Sequence, residues 1–314
     1  MEQFIIYGAG GCGRSWFEFL KYKKLNKYVY CFVDKNAESI RNIDGVQVLS
    51  FEETLELDFP YFISVENSHI KNEIKDILKK ANKRYADSME HIARYCGEDR
   101  VSFNRDYCAY CHINTSYFER AEQSDWLNVF WNENGDFYRM FKKLDLNNVI
   151  ELACGHGRHV SQYYLWAKHI TLVDILEDNI SFCKERFKDK TNISYYCNNG
   201  FDLSELSDDT YTSLFSYDAM VHFEMLDIAS YLKEFYRVLI PGGYALVHHS
   251  NNTKDYTAAF ANGSALRSYM SAEIFAYLAY RSGFEIVDQK KINWEQEEDL
   301  DCITLLKKPF LFNN

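Results

Sequence analysis

The chain has 314 residues, enough for two domains, with 47% hydrophobic residues and three prolines, a composition that excludes an intrinsically disordered protein. Its formal charge of −11 excludes the broad basic face used in general nucleic-acid binding. No apolar run reaches the roughly eighteen residues of a membrane span. The start, MEQFIIYGAGG, has neither the basic region nor the apolar core of a signal peptide, so the nine cysteines fit free thiols in a reducing cytoplasm.

In chain order, Phe4–Tyr7 reads as a short apolar strand. It enters a turn carrying Gly8, Gly10, Gly11 and Gly13, then an amphipathic helix with Trp16, Phe17, Phe19 and Leu20. A second strand, Val29–Val33, ends at Asp34, twenty-one residues after Gly13. Spacing and context both satisfy a dinucleotide fingerprint. Strands near Val46–Leu49 and Tyr61–Val65 follow, with a capping box at Ser50 and Glu53 and a helix from Asn67 to about Lys80. A first unit of residues 1–85 supplies little more than one mononucleotide half, which argues against NAD. The succession IIYGAGGCG, CFVDKN, GVQVLSFEETL, YFISVENSHIKNEI resembles the small amino-terminal domain of PglD-type sugar acyltransferases. The resemblance implies that Gly8, Gly10, Gly11, Gly13 and Asp34 hold a nucleotide or nucleotide-sugar. An empty docking domain is the alternative.

Residues 86–145 read as a linker and helical lid. The run Cys108-Ala-Tyr-Cys111-His112 spells a haem-attachment motif, but such attachment belongs to export compartments, and the spacing to His91 and Cys96 is irregular for zinc. Free thiols and no metal are expected. From Tyr117 the pattern turns helical, with Trp126, Val129 and Phe130 on one face and Phe137, Met140, Phe141 and Leu144 on another. Trp131 and Tyr138 are candidate lid aromatics, with core packing the simpler role.

Residues 146–314 form the last expected domain. Val149–Leu152 reads as a buried strand, Ala153–Gly157 as a small-residue turn, and a helix opens at Arg158. Glu151, Ala153, Gly155 and Gly157 give acid, small, Gly-x-Gly, with Val160 where a dinucleotide fingerprint wants a third glycine. A carboxylate there suits a cationic ligand. The next strand, His169–Val173, ends in Asp174, seventeen residues after Gly157 and placed for ribose hydroxyls, with Ile175 beside it for an adenine face. Strand Ile193–Cys197 leads to Asn199, Gly200 and Phe201, and strand Tyr211–Ser216 to Tyr217, Asp218 and His222. Asp218 and His222, four apart, share a face on any helical turn, so an Asp-oriented His base is expected. FYRVLIPGGYALVHHSN then brings His248 and His249 to a strand end, and Arg267 follows.

The stretch ELACGHG resembles motif I of the class I S-adenosylmethionine (SAM)-dependent methyltransferases, with Ala153 where glycine is common. Asp174 and FYRVLIPGGYALVHHSN extend the likeness. It implies an α/β fold of two Rossmann-like domains, the second with a seven-stranded sheet. It implies SAM held by Glu151, Ala153, Gly155, Gly157, Arg158, Asp174, Ile175, Asn199, Gly200, Phe201 and Tyr217. SYDAMVHFE, VHHSNN, RSYMS, INW and DCITLLKK look like the branch that O-methylates sugar hydroxyls of surface polysaccharides or their precursors. On that reading His222 with Asp218, or His249, is the base, and His248 and Arg267 touch a small sugar acceptor. A nicotinamide-dependent nucleotide-sugar oxidoreductase and a non-catalytic nucleotide-binding protein are the rival readings.

Overall fold

The computed structural model describes residues 2–113, 115–260, 262–294 and 296–310. The chain divides into two units, Met1–Tyr110 and Cys111–Asn314. The boundary lies further on than the expected 85, and there is a physical reason.

The first unit contains β1 (Phe4–Tyr7), α1 (Gly11–Tyr22), β2 (Val29–Val33), α2 (Ala37–Ile40), β3 (Asn42–Ile43), β4 (Val46–Leu49), β5 (Tyr61–Ile63), α3 (Ser68–Lys80), β6 (Tyr85–Ala86), α4 (Glu90–Cys96) and α5 (Arg100–Cys111). Its strands form one sheet, β3-β4-β2-β1-β5-β6, parallel except for the β3–β4 pair. The order reverses at β1, so the glycine turn after β1 stands at a switch point. Ser50 and Glu53 close the expected box: the Ser50 N–H donates to Glu53 Oε2 (2.7 Å) and the Glu53 N–H to Ser50 Oγ (3.3 Å). Residues 86–110 are not a linker. Met89, Ile92, Ala93, Cys96 and Phe103 are buried with Phe17, Phe19 and Leu20 of α1 in one core. Phe103, Tyr107 and Tyr110 surround the Phe19 ring at 5.2, 5.0 and 5.4 Å.

The second unit runs α6 (Tyr117–Ala121), α7 (Ser124–Trp131), α8 (Asp136–Phe141), β7 (Val149–Leu152), α9 (Val160–Tyr163), β8 (Ile170–Asp174), α10 (Glu177–Arg186), β9 (Ile193–Cys197), β10 (Tyr211–Ser216), α11 (Met225–Val238), β11 (Leu239–Ser250), α12 (Ala272–Arg281), β12 (Glu285–Trp294) and β13 (Glu297–Lys307). The seven-stranded order is β12-β13-β11-β10-β7-β8-β9, with β13 antiparallel to both its neighbours and the other pairs parallel. Side chains alternate across this sheet. Val149, Leu172, Phe215 and Leu246 meet Phe137, Phe141 and Tyr163 on one face. Ile150, Leu152, Val173, Leu214 and Val247 meet Ile228, Leu232, Phe235 and Phe275 on the other. No helix among the described residues is long and apolar enough to cross a membrane.

Candidate functional site

The sheet order reverses at β7, so the carboxyl ends of β7, β8 and β10 converge where open α/β sheets bind ligands. The turn after β7 places Ala153, Gly155 and Gly157 at φ 58°, 53° and 80°. Ala153 pays for that conformation where a glycine would not. The Gly155 N–H donates to Asp174 Oδ2 (2.9 Å), and Asp174 Oδ1 accepts from the Leu176 N–H (2.9 Å) and Asn179 Nδ2 (3.1 Å). Burial raises the Asp174 pKa against these bonds.

Alternation turns Glu151 to the Val149 face, into the aromatic core. Its Oε2 accepts from the Tyr163 hydroxyl (3.1 Å), while Oε1 is buried with no partner. Burial pushes its pKa up to about 8. A buried, half-satisfied carboxyl beside a small-residue turn is a ready seat for a cation.

At the tip of β10, Asp218 has φ 58° and its N–H donates to His248 Nδ1 (3.0 Å). Its carboxylate accepts from the Tyr117 hydroxyl (2.5 Å) and pairs with Arg158 Nη2 (3.1 Å). It does not pair with His222 as expected, because the left-handed residue breaks the helical turn the i, i+4 argument needs. His222 Nδ1 instead lies 2.8 Å from the Leu266 carbonyl oxygen. A carbonyl only accepts, so Nδ1 carries the proton and Nε2 keeps its lone pair. Its ring packs near Phe260 (5.3 Å) and His112 (6.1 Å). Desolvation pushes its pKa down to about 4.

Several expected contacts are committed elsewhere. His249 is fully buried on the Val247 face, stacked on Phe275 (3.8 Å), with Nδ1 on the Ser250 carbonyl (2.8 Å) and Nε2 on Thr304 Oγ1 (2.9 Å). Neither nitrogen is left to act as a base. Neighbouring His248 points to the opposite face; Nδ1 takes the Asp218 N–H, which leaves its Nε2 proton for Asp301 (3.1 Å). Arg267, 4% exposed, clasps Asp301 through Nε (3.0 Å) and Nη2 (2.7 Å) and lies over Trp294, so its charge faces inward and not toward an acceptor. Burial alone would raise Asp301, but the His248 bond and Arg267 hold it down at about 2. Tyr217 stacks on His248 (4.5 Å) and packs at a tilt against Phe137 (4.1 Å) as core. Trp131 packs on Phe141 (5.0 Å) and donates Nε1–H to His159 (3.2 Å).

Asn199 closes its own loop. Its Oδ1 accepts from the N–H groups of Phe201 (3.1 Å) and Asp202 (3.0 Å). Asn198, one residue nearer the strand, is buried; its amide nitrogen donates to the Tyr231 hydroxyl (2.7 Å) and its Oδ1 has no partner. The free amide acceptor is therefore Asn198. Gly200 is buried at φ 85° beside it, and Ile175 follows Asp174 half-buried. Among the described residues no group of three or more His, Cys, Asp or Glu is placed to hold a metal.

Residues 150–247 match the methyltransferase domain family. This stretch is a class I SAM-dependent methyltransferase domain. Part of the chain is similar to solved structures. A SAM-dependent methyltransferase from Aquifex aeolicus is 13% identical with a TM-score of 0.47, over 62% of this chain and 97% of that one. A putative methyltransferase from Bacillus halodurans is 15% identical with a TM-score of 0.45, over 55% and 99%. No curated protein matches the chain. The cofactor of the methyltransferase domain is SAM. The unpartnered oxygens of Glu151 and Asn198 fit it, since SAM offers a cation and an adenine amino group to such acceptors.

Sequence reasoning missed Tyr117, Tyr163, Asn198 and the bonding of Asp301 to His248 and Arg267. Only Asn198 carried a local signal, as the first polar residue beyond an apolar strand.

Proposed function

We propose that the chain O-methylates a sugar hydroxyl of a surface polysaccharide or of its nucleotide- or carrier-linked precursor, with His222 as general base. The observation that carries this reading is the His222 tautomer, fixed by Leu266 so that Nε2 offers a lone pair. The depressed pKa keeps that lone pair available throughout the neutral range. SAM supplies an electrophilic methyl group when bound. The acceptor hydroxyl, a very weak acid, needs alignment and a base as its oxygen attacks. Glu151, Asp174 and Asn198 then serve the cofactor, and the aromatic surroundings of His222 serve the acceptor. The glycine turn after β1 in the first unit serves the nucleotide of an activated sugar.

The test is mass spectrometry of products formed from isotopically labelled SAM and a panel of nucleotide sugars and glycan precursors. A mass gain on a sugar oxygen is expected. His222→Ala should bind SAM within a few-fold of wild type while turnover falls by roughly 10² to 10⁴. Unchanged turnover removes His222 from the reaction.

A further inference from the structure

We propose that Arg267 is a positioning residue for the His222 base: anchored on Asp301, its guanidinium holds a left-handed turn at Ala265 and Leu266, and that turn keeps the Leu266 carbonyl on His222 Nδ1. The proposal rests on the reading of His222 as the base and adds what fixes its tautomer.

Ala265 and Leu266 have φ 45° and 62°. L-residues visit that region singly and rarely in succession, because Cβ crowds the following carbonyl oxygen. Such strain persists only where the surroundings over-determine it. The Leu266 side chain does not supply that hold, being 49% exposed. The main chain does. It doubles back at Gly263, where an added Cβ would meet the Arg267 carbonyl oxygen at 1.9 Å. The Leu266 N–H donates to the Gly263 carbonyl (3.1 Å). Arg267 Nη1 donates to the Ala265 carbonyl (2.8 Å), while its Nε and Nη2 stay on Asp301. Asn252 Nδ2 donates to the Arg267 carbonyl (3.1 Å). One residue on, Ser268 clips the segment to the base: its N–H donates to the Val221 carbonyl (3.1 Å) and its hydroxyl to the His222 carbonyl (2.9 Å).

The same guanidinium fork thus joins the sheet, through Asp301 on β13, to the turn that meets His222. A neutral imidazole carries its proton on one nitrogen, and the partner of that nitrogen decides which. If the Leu266 carbonyl drifts from Nδ1, Nε2 takes the proton in part of the molecules. In those molecules Nε2 has no lone pair for an acceptor's proton. Arg267 touches neither cofactor nor acceptor on this account; it acts through a backbone carbonyl.

The experiment reads the imidazole nitrogens by NMR of the full chain labelled with nitrogen-15 at histidine, which separates a protonated from a bare nitrogen and needs neither cofactor nor acceptor. Of the nine histidine patterns, the one missing from His222→Ala belongs to His222. Wild type should show Nδ1 protonated. Arg267→Lys keeps a charge beside Asp301, but one ammonium cannot span the carboxylate and the Ala265 carbonyl as the fork does. In it the Nδ1–H form should fall below about half, and kcat with an acceptor that wild type methylates should fall in the same proportion, at least about twofold, with KM for SAM unchanged. Adding Ala265→Gly should restore both, since glycine holds the left-handed conformation without the clasp; a role confined to pairing Asp301 would not be rescued there. Ser268→Ala, a milder change, should move the tautomer in the same direction. Wild type protonated on Nε2, a tautomer unchanged in every variant that folds, or a shifted tautomer at undiminished kcat overturns the positioning role. If His222→Ala itself leaves turnover unchanged, the base reading has failed; a tautomer shift in Arg267→Lys then shows only that Arg267 orients a histidine outside the reaction, which overturns the role as well.

Discussion

Glu151 is a carboxyl whose burial outweighs its single hydrogen bond, and that imbalance sets a pH dependence. An unfolded glutamate titrates near about 4.3, whereas the folded group titrates at about 8. Between these values the unfolded chain has lost a proton that the folded chain keeps. Stability therefore falls as pH rises from roughly 4 to 8, and Glu151→Gln should remove that slope. A cation against Oε1 favours the ionised form, so binding expels the proton. At pH 7, SAM binding to wild type should release about one proton, read from calorimetry in buffers of different ionisation enthalpy. Glu151→Gln should release none and bind SAM at least about tenfold more weakly. Equal proton release by both proteins sinks this account. The acid's place in the motif is legible in the sequence. Its protonation is not, because Tyr163 and the aromatic shell come from elements brought together only by the fold.

At the scale of elements, the period of a strand decides what the residue list leaves ambiguous. His248 and His249 look like a pair, yet consecutive strand residues face opposite sides of a sheet. Only His248 reaches the Asp218 side, and it does so as a support. Strand β13 supplies Asp301, which joins His248 and Arg267 and ties the segment after β11 to the sheet. Asp301 opens the stretch DCITLLKK, but nothing local pairs it with Arg267 or His248, which lie 34 and 53 residues away. This assigns Arg267 a structural task. Arg267→Met should destabilise the domain by roughly 3–5 kcal/mol, because it strands a buried carboxylate. In wild type Asp301 titrates at about 2, below its unfolded value, so its contribution is full above that unfolded value and is lost as pH falls through about 2. In the variant the loss should begin at higher pH. Urea unfolding at pH 4 and pH 7 measures both effects; a change below about 1 kcal/mol contradicts them. The parallel strands themselves are legible, being short apolar runs between turn signals. Helices α4 and α5 are not, because their buried residues follow no clean period and are defined by the distant Phe19 ring.

For the molecule as a whole, two α/β units with a glycine turn apiece raise the question of whether the first turn takes part in the reaction. Asp34 already spends its carboxylate on the N–H groups of Ala9 (2.9 Å) and Asn36 (2.9 Å). Gly13 is needed for packing, since a Cβ there would meet the Gly8 carbonyl oxygen at 1.9 Å. Gly10 differs: a Cβ would meet nothing within 4 Å, and its φ of −80° suits alanine. Gly10→Ala therefore tests the turn without touching the fold. If this turn cradles the diphosphate of an activated sugar, the added methyl group intrudes only on the ligand. Calorimetric heats with UDP-sugars should be present in wild type and weakened at least about tenfold in Gly10→Ala, with the thermal midpoint and SAM affinity unchanged. Wild-type protein silent toward UDP-sugars would leave the first unit without this role.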